Sequence, residues 1–406
     1  MLKSVYNKSS TDKPSFKIAG SVRFIIFGLV VLLHLGCEVP IYISNWKMEL
    51  KEIDGSVLEG GGQILRLSIA FSCLFEQHVK IFKIRAGRSS PGLKPQHLAG
   101  IQLVKQMCNA TVTGDKQNSC ELIFNPKTLK MGNFNLNINP QTAASIPLMI
   151  QSVLPVAIFA KHNSTIIMKG GTDVSFAPSM DYVTNVLFPI IKKMGISCSA
   201  QINKRGFYPK GRGEVILKID PINGPLNPIV IDNFGDQPTI RGIVFLSGPR
   251  HLNNKHQIVS DIESAVKNKL NNFGYHKVDV ETKIEESDGS GGSLVLTALS
   301  GKCLLGTSAL YDMRKSTVQS ISNEACNKLV NELDSKSCVD ANAVDNLIIF
   351  MALANGKSKV KCKEITLHTE TAIHIAKQFT NAKFEITQTE DGLKEIVCEG
   401  IGFKPT

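Results

Sequence analysis

From Met48 to the C-terminus the apolar residues keep switching between a period of two and a period of three to four, which confines a chain to strands layered with helices. The stretch MELKEIDGS reads as a strand entering a turn. Residues 62–75 carry Ile64, Leu67, Phe71 and Leu74 as a helical stripe, and Leu65 and Ile69 widen it to the surface of a buried helix. HVKIFKIR alternates as a strand does, residues 95–107 form a helix with Pro95 in its first turn, and ATVTG and CELIFNP are strands. The succession returns downstream as helix 141–160, strand STIIMKGG, helix 181–194 and a hairpin of ISCSAQINKRGFYP with GEVILKI. It returns again near the C-terminus as helix 345–354, VKCKEITL, helix 369–380, KFEITQ and KEIVCEG. Residues 222–335 leave this rhythm, with the loop PINGPLNP, a helix over 257–271, the polar loop ESDGSGGS and a helix ending at Glu332. The expected architecture is α/β: repeated βαβαββ-type units over 48–221 and 336–406, a smaller α/β subdomain inserted over 222–335, and a leader over 1–47.

With 43% hydrophobic and 20% charged residues in 406, the chain can bury a sizeable core, which excludes wholesale disorder, collagen and coiled-coil arrays. A net charge of +11 points to an anionic partner such as nucleic acid. The ten cysteines contain no C-x-x-C pair and several sit in apolar runs, the pattern of buried free thiols in a reducing compartment. The leader has basic residues ahead of the apolar run FIIFGLVVLL at 24–33, in the order of a signal peptide. That run is shorter than the roughly 20 residues of a membrane span, so the leader reads as an appendage or an upstream start, with targeting as the minority reading.

Nucleotide motifs are missing: no G-x-x-x-x-G-K-[ST] occurs, and LEGGGQIL has Leu65 where G-x-G-x-x-G needs its third glycine. Polar residues instead gather at helix starts. Glu59, Gln63 and Arg66 fall at i, i+4 and i+7, on one face of the first helix. Arg85 and Arg88 flank a glycine in IRAGRSSPG, and Gln96 and His97 occupy the first turn of the next helix. Helix N-termini offer unpaired N–H groups and a positive dipole end, so arginines beside them suit phosphate.

Together, EIDGSVLEGGGQILR, IRAGRSSPGLKPQHL, QSVLPVAIFA, GGTDVSFAP, RGFYPKGRGEV, LIIFMALANG and TLHTETAIH resemble, in order from about Met48 to Phe403, the RNA 3′-terminal phosphate cyclases. The resemblance implies three βαβαββ repeats with an inserted α/β domain. It also implies ATP-dependent conversion of an RNA 3′-phosphate to a 2′,3′-cyclic phosphate, through a histidine–AMP and then an RNA(3′)pp(5′)A intermediate. By the same carry-over His368 is the nucleophile, and Gln151, Pro178, Asn342, Asp345 and Asn346 form the nucleotide pocket. Glu59 is the carboxylate for magnesium or manganese, and Gln63, Arg66, Arg85, Arg88, Gln96 and His97 grip phosphates and the RNA end. His374, six residues past His368 and about 240° round a helix, is read as structural.

The chain departs from the family pattern at three places: Asn342 stands for a tyrosine, Asn346 for a glutamine and Arg212 for a glycine in the FYPxGG string. The implied partners are RNA 3′-phosphate ends, with no stable membrane partner, and the sequence sets no oligomeric state. The implied location is the nucleus, with the cytoplasm second. The alternative reading is a non-catalytic cyclase-like RNA-binding factor in ribosome biogenesis.

Overall fold

The computed structural model of the chain describes residues 50–129, 134–248 and 254–404; the leader, with its apolar run, lies outside them. Four four-stranded sheets and eight helical segments make a mixed α/β fold among these residues. The first sheet collects β1 (Lys51–Asp54), β2 (Val79–Phe82), β3 (Thr111–Thr113) and β4 (Leu122–Asn125) in the order β1-β2-β4-β3. Helix α1 (Gly62–Leu74) links its parallel pair β1 and β2, and α2 (Pro95–Cys108) follows β2. The second sheet collects β5 (Asn135–Ile138), β6 (Ser164–Gly170), β7 (Cys198–Lys204) and β8 (Gly213–Ile219) in the order β5-β6-β8-β7. Its helices are α3 (Ile146–Ala157) and α4, a continuous run of Met180–Tyr182, a π turn at Val183–Leu187, and Phe188–Lys192.

After β9 (Val230–Ile231) the chain builds a separate sheet from β10 (Phe234–Ser247), β11 (Val278–Glu285), β12 (Gly291–Gly301) and β13 (Cys303–Tyr311), ordered β11-β10-β12-β13. Helices α5 (Lys255–Asn272) and α6 (Val318–Asp334) pack on it around Val244, Ile262, Val266, Leu294 and Leu329, a core distinct from the larger one. The chain then returns through α7 (Ala341–Leu353), β14 (Asn355–Cys362), α8 (Leu367–Phe379), β15 (Lys383–Gln388) and β16 (Lys394–Ile401). These strands join β9 in the order β9-β14-β16-β15.

Caps set the helix boundaries and correct three sequence readings. Ser145 Oγ accepts from Leu148 N at 3.3 Å, so α3 begins at Ile146 and not near 141. Asp340 accepts from the backbone N–H of Asn342 and Ala343, both at 3.1 Å, which starts α7 four residues before the expected 345. Thr366 Oγ1 accepts from Thr369 N at 3.2 Å, placing His368 inside the first turn of α8. The strand β5 was not legible in NLNI, whose four residues alternate too briefly; pairing with β6 creates it.

A buried ion cluster fastens the two cores together. Arg205, just past β7, reaches Asp181 Oδ2 at 2.5 Å and Asp173 Oδ2 at 3.5 Å on the larger core. On the smaller one its Nε donates to Glu285 Oε2 at 3.0 Å and its guanidinium lies 3.7 Å from the Phe245 ring centroid. Burial pulls the arginine's pKa down, but the charges of Asp173 and Asp181 override it and raise it.

Candidate active site

Helix α1 packs against α2, α3 and α8, so its first turn becomes a meeting point for distant segments. Glycine there leaves room for close approach by side chains. A Cβ on Gly62 would overlap His97 Nε2 and come within 2.9 Å of Arg66 Nη1, and one on Gly61 would overlap the Glu59 carboxylate. The GGG string therefore lets an imidazole and a carboxylate lie against the N-terminal backbone of α1.

Across this turn runs one chain of hydrogen bonds. Arg66 Nε donates to Gln151 Oε1 at 2.9 Å, and Gln151 Nε2 donates to Asn346 Oδ1 at 2.8 Å. Asn346 Nδ2 donates to Asp345 Oδ1 at 2.8 Å, and Gln63 Nε2 donates to Asp345 Oδ2 at 3.1 Å. Gln63 Oε1 then faces His368 Nδ1 at 3.2 Å. With Asp345 ionised, every amide orientation follows from the two ends: a guanidinium only donates and a carboxylate only accepts. Gln63 is left presenting an acceptor, so His368 carries its proton on Nδ1 and keeps a free lone pair on Nε2. Burial, then the positive charges of Arg66 and Arg88, hold this imidazole below its ordinary pKa, which favours the neutral form.

Burial pushes Asp345 up to about 7 against the pull of Arg66 and Asn346, and the same desolvation lowers Arg66 to about 10. His97 is driven down to about 3 by burial, then by Arg66, Arg85 and Lys94, and its Nδ1 accepts from Lys94 N at 3.0 Å. Neutral His97 thus caps α2 with one nitrogen and presents the other at α1.

Gln63, Arg66, Gln151, Pro178, Asp345 and Asn346 line one cavity, with Ile150, Leu154 and Phe350 among its apolar walls. Its volume is about 30 Å³, space on the order of one or two waters and too little for a purine. The Arg66–Gln151–Asn346 bonds belong to that closed arrangement. Asn342 is exposed and does not line the cavity; only its carbonyl takes part, accepting from Asn346 Nδ2 at 2.7 Å. One helical turn separates the two asparagines on the same face of α7.

The arginine loop is divided. Arg85 turns inward, donating to the carbonyls of Ser90 and Gly92 at 2.6 and 2.9 Å, so it shapes its own loop rather than facing the cavity. Arg88 forms an ion pair with Glu59, whose second oxygen, Oε2, is buried with no hydrogen-bond partner. Gln96 Oε1 accepts from Ser145 N at 3.4 Å, tying α2 to the start of α3. Among the described residues no group of three His, Cys, Asp or Glu side chains could hold a metal. The orphaned Glu59 Oε2 nonetheless suits a magnesium-type cation that takes one carboxylate and draws its other ligands from phosphates and water.

Sequence reasoning missed Asp340, which caps α7, accepts from Tyr182 Oη at 2.6 Å and from Gly306 N at 3.0 Å, and so ties α7 to α4 and to the second core. An aspartate just before an apolar helix is an N-cap signal that could have found it.

A family model for the RNA 3′-terminal phosphate cyclases matches residues 57–386. A Dictyostelium discoideum protein named "Probable RNA 3′-terminal phosphate cyclase" is 40% identical over 87% of this chain and 84% of its own. RNA 3′-terminal phosphate cyclases of Pyrobaculum aerophilum and Drosophila melanogaster are 35% and 34% identical, over 86% and 87% of this chain and 98% and 97% of theirs.

Proposed function

Because the chain belongs to the RNA 3′-terminal phosphate cyclase family, we propose that it converts RNA 3′-phosphates to 2′,3′-cyclic phosphates at the expense of ATP, with His368 as nucleophile. The observation that carries this reading is the 3.2 Å contact of His368 Nδ1 with Gln63 Oε1, which with Asp345 ionised favours the tautomer whose Nε2 is unprotonated. Nε2 attacks the α-phosphorus, an N–P bond forms, the α–β bridging bond breaks and pyrophosphate leaves. An oxygen of the RNA 3′-phosphate then displaces His368 from the AMP. The adjacent ribose 2′-oxygen attacks the 3′-phosphorus, its proton passes to solvent and AMP departs. Adenylylation is needed because a phosphate monoester has no good leaving group of its own.

The residues divide this work. Arg66 and Arg88 supply positive charge near the phosphates, and neutral His97 and Gln96 offer polar contacts at helix starts. Pro178 and the apolar wall suit a base once the cavity opens. Glu59 would hold a divalent cation, magnesium or manganese, which supplies neutralisation of phosphate charge. Three βαβαββ units, each with the strand order first-second-fourth-third, and an insert between β9 and α7 are the domain plan that the sheet orders favour. Nuclear residence, with the cytoplasm second, belongs to the same proposal.

The 30 Å³ cavity favours a second reading, a cyclase-like RNA-binding factor that forms no adenylate. Incubation with α-labelled ATP decides between them. Acid-labile label on the wild type, absent in His368→Ala, is expected of the enzyme; an unlabelled wild-type protein supports the factor.

A further inference from the structure

A second, larger concavity lies beside this site. It measures about 780 Å³ and carries Lys169, Lys204, Lys210 and Arg212 against two acids, Glu214 and Asp288. Lys169 pairs with Glu214 at 3.3 Å, and Lys204 and Arg212 share Asp288 at 2.8 and 3.6 Å. Lys210 is exposed and in no ion pair among the described residues. Four cations against two carboxylates leave the groove net positive. Arg212 holds φ at 59°, in the left-handed region that favours glycine, so the chain keeps a bulky cation at a strained position. Thr142 also lines the groove, and its buried hydroxyl has no hydrogen-bond partner.

Two exposed aromatics lie on chain segments that carry residues of the groove's lining. Tyr208, between Lys204 and Lys210, is 83% exposed, and Phe176 is fully exposed at 103%. Phe176 sits on the loop between β6, whose last residue Gly170 lines the groove, and Pro178, which lines the cavity. That loop closes on itself, because Met180 N donates to Thr172 O at 3.1 Å, so its middle projects. Thr142, also in the groove's lining, stands three residues from Ser145, whose N–H meets Gln96. A three-residue span is at most about 11 Å, so groove and proposed RNA-end site are about two nucleotides apart or less.

We propose that this groove binds the single-stranded RNA leading up to the 3′-phosphate, its phosphates along Lys204, Lys210 and Arg212 and its bases stacked on Phe176 and Tyr208. The assignment deepens the cyclase reading and rests on it for the direction of the strand. Single-strand sites combine a cationic track with aromatic platforms that accept any base, and the groove has both. A duplex keeps its successive bases stacked on one another, so the site selects unpaired termini.

The test measures affinity of the full chain for fluorescent RNAs of one, three, six and ten nucleotides ending in 3′-phosphate or 3′-hydroxyl, over a range of salt. Affinity should rise with length up to about six nucleotides for both ends. Phe176→Ala and Tyr208→Ala should each weaken six-nucleotide binding by about fivefold or more. Lys210→Ala combined with Arg212→Gly, the latter relieving the left-handed strain, should lower the salt slope by about 1.4. Length-independent affinity, or variants that bind as the wild type does, would overturn the groove; an acidic protein as its occupant gives that second result. Labelling of each variant by ATP is scored separately. Length-dependent, variant-sensitive binding with no labelling keeps the groove and removes the cyclase reading, and the converse removes only the groove.

Discussion

His368 and Gln63, 305 residues apart, meet Nδ1 to Oε1 at 3.2 Å, and the far oxygen of that relationship is set by an aspartate and an arginine that touch neither atom. A single side-chain amide thus transmits the polarity of the network to the nucleophile. Four expectations follow from this arrangement and from the fold that supports it.

Gln63→Leu removes the acceptor and leaves His368 free to choose its tautomer. Adenylylation should fall by on the order of 10²-fold or more, as with other histidines that lose their orienting partner. Gln63→Glu keeps an acceptor and adds negative charge, so it should retain activity and move the acid limb of the pH profile upward. Equal losses in both variants with no shift would assign Gln63 to packing alone.

Asp345 titrates near 7 because burial disfavours its charge. Once protonated it donates, Gln63 turns its NH₂ toward His368, and the proton moves to Nε2. The adenylylation rate should therefore decline as pH falls below about 7, up to tenfold per unit, above the range in which the depressed His368 itself protonates. In Asp345→Asn the rate is already low and this limb is absent. An unchanged limb in that variant would place the titration elsewhere. For stability the sign is opposite: a raised carboxyl stabilises below the unfolded value of about 3.9, and that contribution is lost as pH rises through 7.

Asn342→Tyr, one turn from Asn346 on the same face of α7, would roof the cavity. Stacking of about 1 kcal/mol lowers the Michaelis constant for ATP by roughly fivefold with little change in turnover, since the base is held alike in ground and transition states. A constant that stays put, measured by initial rates, would mean that this turn never reaches the base. Adding Asn346→Gln should increase the gain.

Arg205→Ala strips the cation from between Asp173 and Asp181, both buried. Unfolding in urea should show a loss of about 3–5 kcal/mol, the usual result of leaving buried charge uncompensated. Asp173 already sits up at about 6 through burial, offset by Arg205 and raised further by Asp181, so the deficit should shrink as pH falls and Asp173 protonates. A loss below about 1 kcal/mol at neutral pH would show the cluster to be dispensable.

The alternation of periods sufficed for the α/β class and for α1 and α2 within a residue, because each rests on which face of a short segment is apolar. The resemblance named His368, Gln63, Asp345 and Gln151, and all four meet in the fold. Local pattern carries no information on contacts between residues hundreds of positions apart, so four matters were left to tertiary structure. Packing of α8 against α1 brought Gln63 to His368, and the polarity of the Arg66–Asp345 network chose the tautomer. The same packing closed the cavity to about 30 Å³ and turned Arg85 into its own loop, where carbonyls of Ser90 and Gly92 compete for it more closely than any distant phosphate. Exposure, too, was illegible: a lone phenylalanine in GGTDVSFAP gives no sign of its surroundings, and Phe176 projects from a loop that the Met180–Thr172 bond closes. Sequence determines which residues want burial or a cap; which polar groups then find one another is decided by the assembled helices, since a hydrogen bond depends on ångström-scale placement that no periodicity encodes.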